Sequence, residues 1–206
     1  MSRFARIQSE GDERERLSCL DCGHVIYENP KIIVGAVVVH DGRVLLCRRA
    51  IEPRQGFWTL PAGYLELGET SAEGAIRETF EEAGARITLD GILAIYDISR
   101  IGQVQIIYRA RFTDAENPVA EAGTESLEVG LFDWAGIPWG DLAFPTVRWA
   151  LDAWHGIGQG PLPPPFRNPP DDPRGEGTLP GMPGADRDTD SSPYADPYPT
   201  ISRRPT

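Results

Sequence analysis

The chemistry in this sequence is concentrated between Gly63 and Gly84. Glu78, Glu81 and Glu82 crowd three carboxylates into little more than one helical turn, with Arg77 as the only base beside them. Like charges four residues apart on a helix repel, so an ordinary solvated face would intersperse lysines. A hard divalent cation removes the conflict. Mg²⁺, with Mn²⁺ as its substitute, takes oxygen ligands and bridges carboxylates to phosphates. The competing reading is a merely acidic surface helix. Composition narrows the partner further: 20 Lys and Arg against 31 Asp and Glu give a net charge of -11. A nucleic-acid backbone calls for clustered positive charge, which speaks against that partner. A phosphate compound approached through a cation is still compatible.

These carboxylates need a helix to share a face. Thr70 followed by Glu73 fits a capping box, and Gly84 suits the helix end. Between them Ala72, Ala75, Ile76, Phe80 and Ala83 lie on one side. Glu78, Glu81 and Glu82 fall within about a 100° arc on the other. The short strand Phe57 to Leu60, ended by Pro61, leads through a glycine loop into this helix. Two apolar runs, Ile32 to His40 and Arg43 to Arg48, meet at Asp41-Gly42, a two-residue hairpin signal. Further strands are expected over Gly91 to Ile98, Val104 to Phe112 and Leu127 to Trp134. A last helix starts after Phe144 with Pro145 in its first turn, and Val147, Ala150, Leu151 and Trp154 recur at its inner face.

The order of residues adds an identity to the pattern. Gly63, five residues, Glu69, seven residues, then Arg77-Glu78-Thr79-Phe80-Glu81-Glu82-Ala83-Gly84-Ala85 resembles the Nudix box. Every polar and glycine position matches; Thr79 and the small Ala85 depart where the family carries larger aliphatic residues. Tyr27 to Lys31, the hairpin, Trp58 to Gly63 and Glu125 through Pro138 are similar to a branch that includes enzymes acting on ADP-ribose and FAD. The resemblance covers about residues 11 to 155. It implies an α+β class and the Nudix fold, a mixed β-sheet sandwiched between helices. It also implies hydrolysis of the pyrophosphate bond in a nucleoside diphosphate derivative. Glu78 and Glu82 then become the principal metal ligands, Glu81 completes a further cation site, and the Ala62 or Gly63 carbonyl adds a backbone oxygen. Arg77 orients Glu78 or Glu81, Glu69 supports the loop, and Glu125 or Glu128 is a ligand or general base. NADH pyrophosphatases of the family carry a Pro-rich motif after the box that this chain lacks. A nucleotide-binding regulator without catalysis is the alternative from another class, and the complete box argues against it.

Around the box, Trp58 and Tyr64 are candidates to stack on an adenine or flavin ring, and Arg48 and Arg54 to contact phosphates. Aromatic residues in strands more often belong to a core. Cys19, Cys22 and His24 make half of a zinc-ribbon pattern, but tetrahedral zinc wants about four ligands. The knuckle therefore reads as a relic, with zinc as the alternative. Three domains are expected: an N-terminal extension over 1–30, the catalytic domain over 31–155, and a disordered tail over 156–206, rich in Pro, Gly and Asp. The start of the chain lacks the apolar stretch of a signal peptide and no run approaches a membrane span, so the cytoplasm is the expected location. Membrane and nucleic-acid partners are not expected. Relatives are often homodimers, though no element of this sequence specifies an interface.

Overall fold

A computed structural model of the chain describes residues 3–8 and 11–177. Two compact units divide at Asn29 and Pro30. The first holds β1 (Phe4–Gln8), β2 (Glu15–Cys19) and β3 (Val25–Ile26) in one antiparallel sheet of order β1-β2-β3. The expected polar extension is therefore a small sheet. Ala5 and Ile7 are buried on one face of β1, while Leu17 and Cys19 of β2, opposite Arg6 and Phe4, are buried on the other. The knuckle turns tightly between β2 and β3, with the Cys19 amide donating to the His24 carbonyl and the Gly23 amide to the Cys19 carbonyl.

The second unit is built on β4 (Lys31–His40), which pairs in parallel with β9 (Gln103–Phe112) over its whole length. On one side β5 (Arg43–Arg49) joins β4 through the hairpin, where Asp41 and Gly42 both take positive φ, as a primed turn requires. On the other side β8 (Ile87–Ile98) pairs antiparallel with β9. β10 (Ser126–Phe132) lies outside β5, giving the order β10-β5-β4-β9-β8. Two short strands, β6 (Trp58–Thr59) and β7 (Ala62–Tyr64), pair with β5 and β4. β8 begins earlier than expected, because register shifts around Gly91 and Ile92 let the strand continue through the glycine.

Alternation along the central strands creates two cores. Val34, Ala36 and Val38 of β4, with Leu45 and Cys47 of β5, face helix α1 (Ser71–Ala83), meeting Ala75 and Ala83. Val37, Val44 and Leu46 point the other way, toward helix α2 (Pro145–Ile157), and meet Val147, Ala150, Leu151 and Trp154. The sheet is thus covered by a helix on each face, as the resemblance implied.

The segment after α2 departs from expectation. Residues 158–177 run along β8, whose outer edge has no other strand beside it among the described residues. The Phe166 amide donates to the Leu93 carbonyl and the Ile95 amide to the Phe166 carbonyl, each at 2.9 Å. Asn168 pairs with the Asp97 backbone through both ends of its amide at 2.8 Å, and the Ser99 amide donates to the Arg174 carbonyl. Leu162 and Phe166 pack on the α2-side core. Two apolar side chains suffice here because the open edge supplies hydrogen bonds that the segment need not find within itself. The part of the expected tail from 178 onward lies outside the described residues.

Phe166→Ala should lower stability by about 2 kcal/mol, since a half-buried ring loses most of its transfer term. For a chain of this size that is about 4–8 °C in Tm. Thermal unfolding of wild type and variant checks this; equal melting temperatures would show that the segment adds nothing to the fold.

Candidate functional site

The capping box at the start of α1 forms as expected. The Thr70 hydroxyl accepts from the Glu73 amide while the Glu73 carboxylate accepts from the Thr70 amide at 2.7 Å. Gly84 ends the helix in the left-handed region and returns its amide to the Phe80 carbonyl. Thr79, the departure from the box pattern, is fully buried and donates its hydroxyl to the Ala75 carbonyl at 2.8 Å. A polar residue is tolerated at this core position because the helix satisfies it.

Arg77 is the hub of the site. Its guanidinium makes a forked pair with Glu69 at 2.6 and 3.0 Å and also donates to Glu78 at 2.8 Å, Glu81 at 2.9 Å and the Tyr64 carbonyl at 3.0 Å. One cation thus ties the glycine loop to two carboxylates of the helix. The hydrogen bonds from Arg77, with the Glu66 amide, hold Glu69 down at about 2. The same contacts, that with Glu69 foremost, raise Arg77 above its usual range.

Glu82 points the other way, into the protein. It is 7 % exposed, and its carboxylate accepts from the Ala62 amide at 3.0 Å. Burial pushes it up to about 8; the Ala62 amide opposes the rise, and Glu78 and Glu125 add to it. Glu78 is raised as well, burial first, against the pull of Arg77. Its carboxylate lies so close to Gly63 that a Cβ there would overlap it.

A loop completes the arrangement. The Glu121 amide donates to the Ala83 carbonyl at 2.7 Å and the Gly123 amide to the Glu82 carbonyl at 3.0 Å, so residues 121–123 satisfy carbonyls that the last turn of α1 leaves open. Gly123 is pressed against the Glu81 carbonyl, where a Cβ has no room. This docking, with the Ala50 amide bonded to the Glu125 carbonyl, brings Glu125 within electrostatic reach of both Glu78 and Glu82. Glu128 lies elsewhere, on β10 opposite Arg48 and paired with it at 3.6 Å. Gly123 beside Glu125 was the signal available in the sequence for this loop; the contact of Gly123 with α1 was not.

The structure separates the other expected contacts. Trp58 is partly buried and packs edge-on against Phe132, with centroids 4.9 Å apart, on the α2-side core. Arg48 donates to the Gly56 carbonyl, and Arg54 lies over the Phe57 ring at 3.8 Å, so both brace the loop between β5 and β6. Tyr64 is 45 % exposed beside Lys31. Arg49, next to Arg48 and equally a candidate phosphate contact by sequence, is a positive neighbour of Glu82. In the knuckle Cys19 is buried and Cys22 exposed.

Among the described residues no three His, Cys, Asp or Glu side chains close into a ready-made cage. Mg²⁺ does not require such a cage, since it keeps several waters and relies on one or two carboxylates plus substrate phosphates. The buried Glu82 has two further carboxylates, one amide donor and the more distant Arg49 as neighbours, a set with more negative than positive charge, and the close fit at Gly63 keeps Glu78 beside it.

The chain belongs to the Nudix family: the NUDIX domain model matches residues 29–149. Among solved structures, a NUDIX hydrolase from Nitrosomonas europaea is 39% identical, covers 81% of this chain and 93% of its own, and superposes with a TM-score of 0.74. A MutT-like protein of Streptomyces ambofaciens is 40% identical over 79 residues, 38% of this chain and 49% of that protein. An ADP-ribose pyrophosphatase of Methanocaldococcus jannaschii is 29% identical over 114 residues, 55% of this chain and 68% of that enzyme. The matched stretch thus spans about half of the Streptomyces protein's length.

Arg77→Met should release Glu69 from its depressed value toward the ordinary 4.5. A depressed carboxylate stabilises the fold above its unfolded value and loses that contribution as pH falls. Wild type should therefore lose stability between about pH 4.5 and 2 through Glu69, and the variant should lack this part of the slope. Carboxyl NMR titration with acid melts checks both; an unmoved Glu69 titration would contradict the clamp.

Proposed function

We propose that the chain is a divalent-metal-dependent hydrolase of the pyrophosphate bond in a nucleoside diphosphate derivative, with ADP-ribose or FAD as its substrate. The observation that carries this reading is the pair of carboxyl groups on the Nudix helix, buried Glu82 and partly buried Glu78, held against the Ala62–Gly63 backbone. The substrate class rests on the resemblance to ADP-ribose and FAD enzymes and on the likeness to the Methanocaldococcus ADP-ribose pyrophosphatase.

In this reading Glu78 and Glu82 hold Mg²⁺ or Mn²⁺, with Glu81 and the Ala62 or Gly63 carbonyl as further oxygen ligands. The ion offsets the charge of the diphosphate and makes water a better nucleophile. The remaining work falls to the chain. Arg77 fixes Glu78 and Glu81 in place and keeps the glycine loop closed on the helix. Ala62 holds Glu82 through its amide. Glu125 takes a proton from the attacking water as its oxygen bonds to phosphorus and the bridging P–O bond breaks. ADP-ribose would then give AMP and ribose 5-phosphate. Glu125 is preferred to Glu128 because it shares the field of Glu78 and Glu82, while Glu128 is paired with Arg48.

ADP-ribose and FAD, offered with Mg²⁺, should be cleaved and cleavage should stop in EDTA. Glu82→Gln and Glu78→Gln should each cut kcat by about 10²- to 10³-fold with the fold intact. Glu125→Gln should lower kcat strongly and Glu128→Gln little, while Glu73→Gln should affect only helix capping. Chromatography of the products reads each case. Equal turnover by wild type and Glu82→Gln at saturating metal and substrate would exclude the mechanism and revive the regulator reading.

A further inference from the structure

The register of the sheet places a polar pair where no catalytic role has been given. Side chains that are direct partners on neighbouring strands share a face. Tyr64 of β7 is opposite Ile33 of β4, Ile33 opposite Gln105 of β9, and Gln105 opposite Tyr96 of β8. This row lies on the face turned away from α1, since Val34, Ala36 and Val38 alternate onto α1. Gln103, two residues before Gln105, stands on the same face opposite Ile98. None of Ile33, Gln103 and Gln105 joins the buried core; each keeps part of its surface open, whereas Val37 and Ile107 farther along the strands are covered. The α2 face therefore ends in an accessible shelf floored by one aliphatic side chain and two amides.

We infer that Gln103 and Gln105 form the subsite that reads the adenine base of the substrate. This rests on the pyrophosphatase reading above and extends it to substrate recognition. The Gln105 amide nitrogen donates to the Gln103 amide oxygen at 3.5 Å. That contact leaves the Gln105 oxygen free to accept and the Gln103 nitrogen free to donate. Adenine presents the complement, an amino donor beside a ring-nitrogen acceptor, and glutamine is a well-matched partner for that edge. Hypoxanthine exchanges the amino group for an oxygen acceptor and turns the adjacent ring nitrogen into a donor. Ile33 gives the ring an apolar floor, and exposed Tyr64 borders the shelf on the side of the glycine loop. Position fits as well. β9 lies two strand spacings from β7, about 10 Å, and β7 carries Gly63, which touches the Glu78 carboxylate. Gly63 itself, in register with Val34, faces α1, so a nucleoside with its base on β9 rounds the end of the sheet at Lys31 and Tyr64 for its phosphates to reach the Nudix helix.

The test compares ADP-ribose with its inosine counterpart on wild type, Gln103→Leu and Gln105→Leu, with thermal melts to verify folding. Both positions are partly open, so leucine does not disturb a core. Wild type should favour the adenine compound by about tenfold or more in kcat/KM, expressed in KM. Each variant should bring the ratio toward one by losing affinity for ADP-ribose. A ratio preserved in both variants, or no base preference in wild type, overturns the subsite and leaves the pyrophosphatase reading standing. If wild type hydrolyses neither compound nor FAD, that reading falls, and calorimetry with AMP then decides the shelf. AMP binding that weakens in the variants supports it, and no binding, or equal binding, overturns it.

Discussion

Three carboxylates on one helix face can coexist only if their charge is divided between different partners, and Arg77 imposes that division. Its fork on Glu69 ties the glycine loop to the helix, while its remaining donors reach Glu78 and Glu81. Glu69 and Glu81 are thereby compensated within the protein. Glu82, turned inward onto the Ala62 amide, makes no ion pair among the described residues and has Arg49 as a more distant positive neighbour. The helix carries an internally balanced side and an unbalanced one, and the unbalanced one borders Gly63. Charge-assisted bonds of this kind are short and directional, so the loop and the helix keep their spacing before any ligand arrives.

The rest of the unit maintains that imbalance. Glu82 stays buried because β7 lies across β4 and because the 121–123 loop seals the end of α1. Buried carboxylates with too few donors are costly, and this one is retained at the point where the family's chemistry takes place. The same loop positions Glu125, so one docking contact both finishes the helix and adds a third carboxylate to the field.

The parts of this arrangement that a reader could find in the sequence are those set by neighbours along the chain. The capping box at Thr70, the Asp41-Gly42 turn and the glutamate face of α1 depend on fixed local spacing, and all three form. Trp58 was ambiguous because an aromatic residue in a strand has the same local pattern whether it faces a ligand or a core; only Phe132, far along the chain, decides. Glu125 and Glu128 differ by three positions and in nothing else that sequence displays, yet a loop contact with α1 and a cross-strand partner send them to different places. The small sheet of residues 3–29 and the segment along β8 were obscured for a related reason: each buries few apolar side chains and relies on hydrogen bonds to strands whose positions the local pattern does not give.

The segment that follows α2 has a further consequence for how the protein behaves in a crowd of its own copies. A sheet edge is a template on which another chain can add a strand. Here the edge of β8 is occupied by a stretch that includes Pro163, Pro164, Pro165, Pro169 and Pro170, none of which has an amide hydrogen to offer. Around Phe166 it gives β8 one donor and one acceptor, and the prolines on either side can start no new ladder. It acts as a chain terminator for the sheet: it occupies the edge around Leu93 and Ile95 and presents to the outside a proline-flanked stretch poor in amide donors.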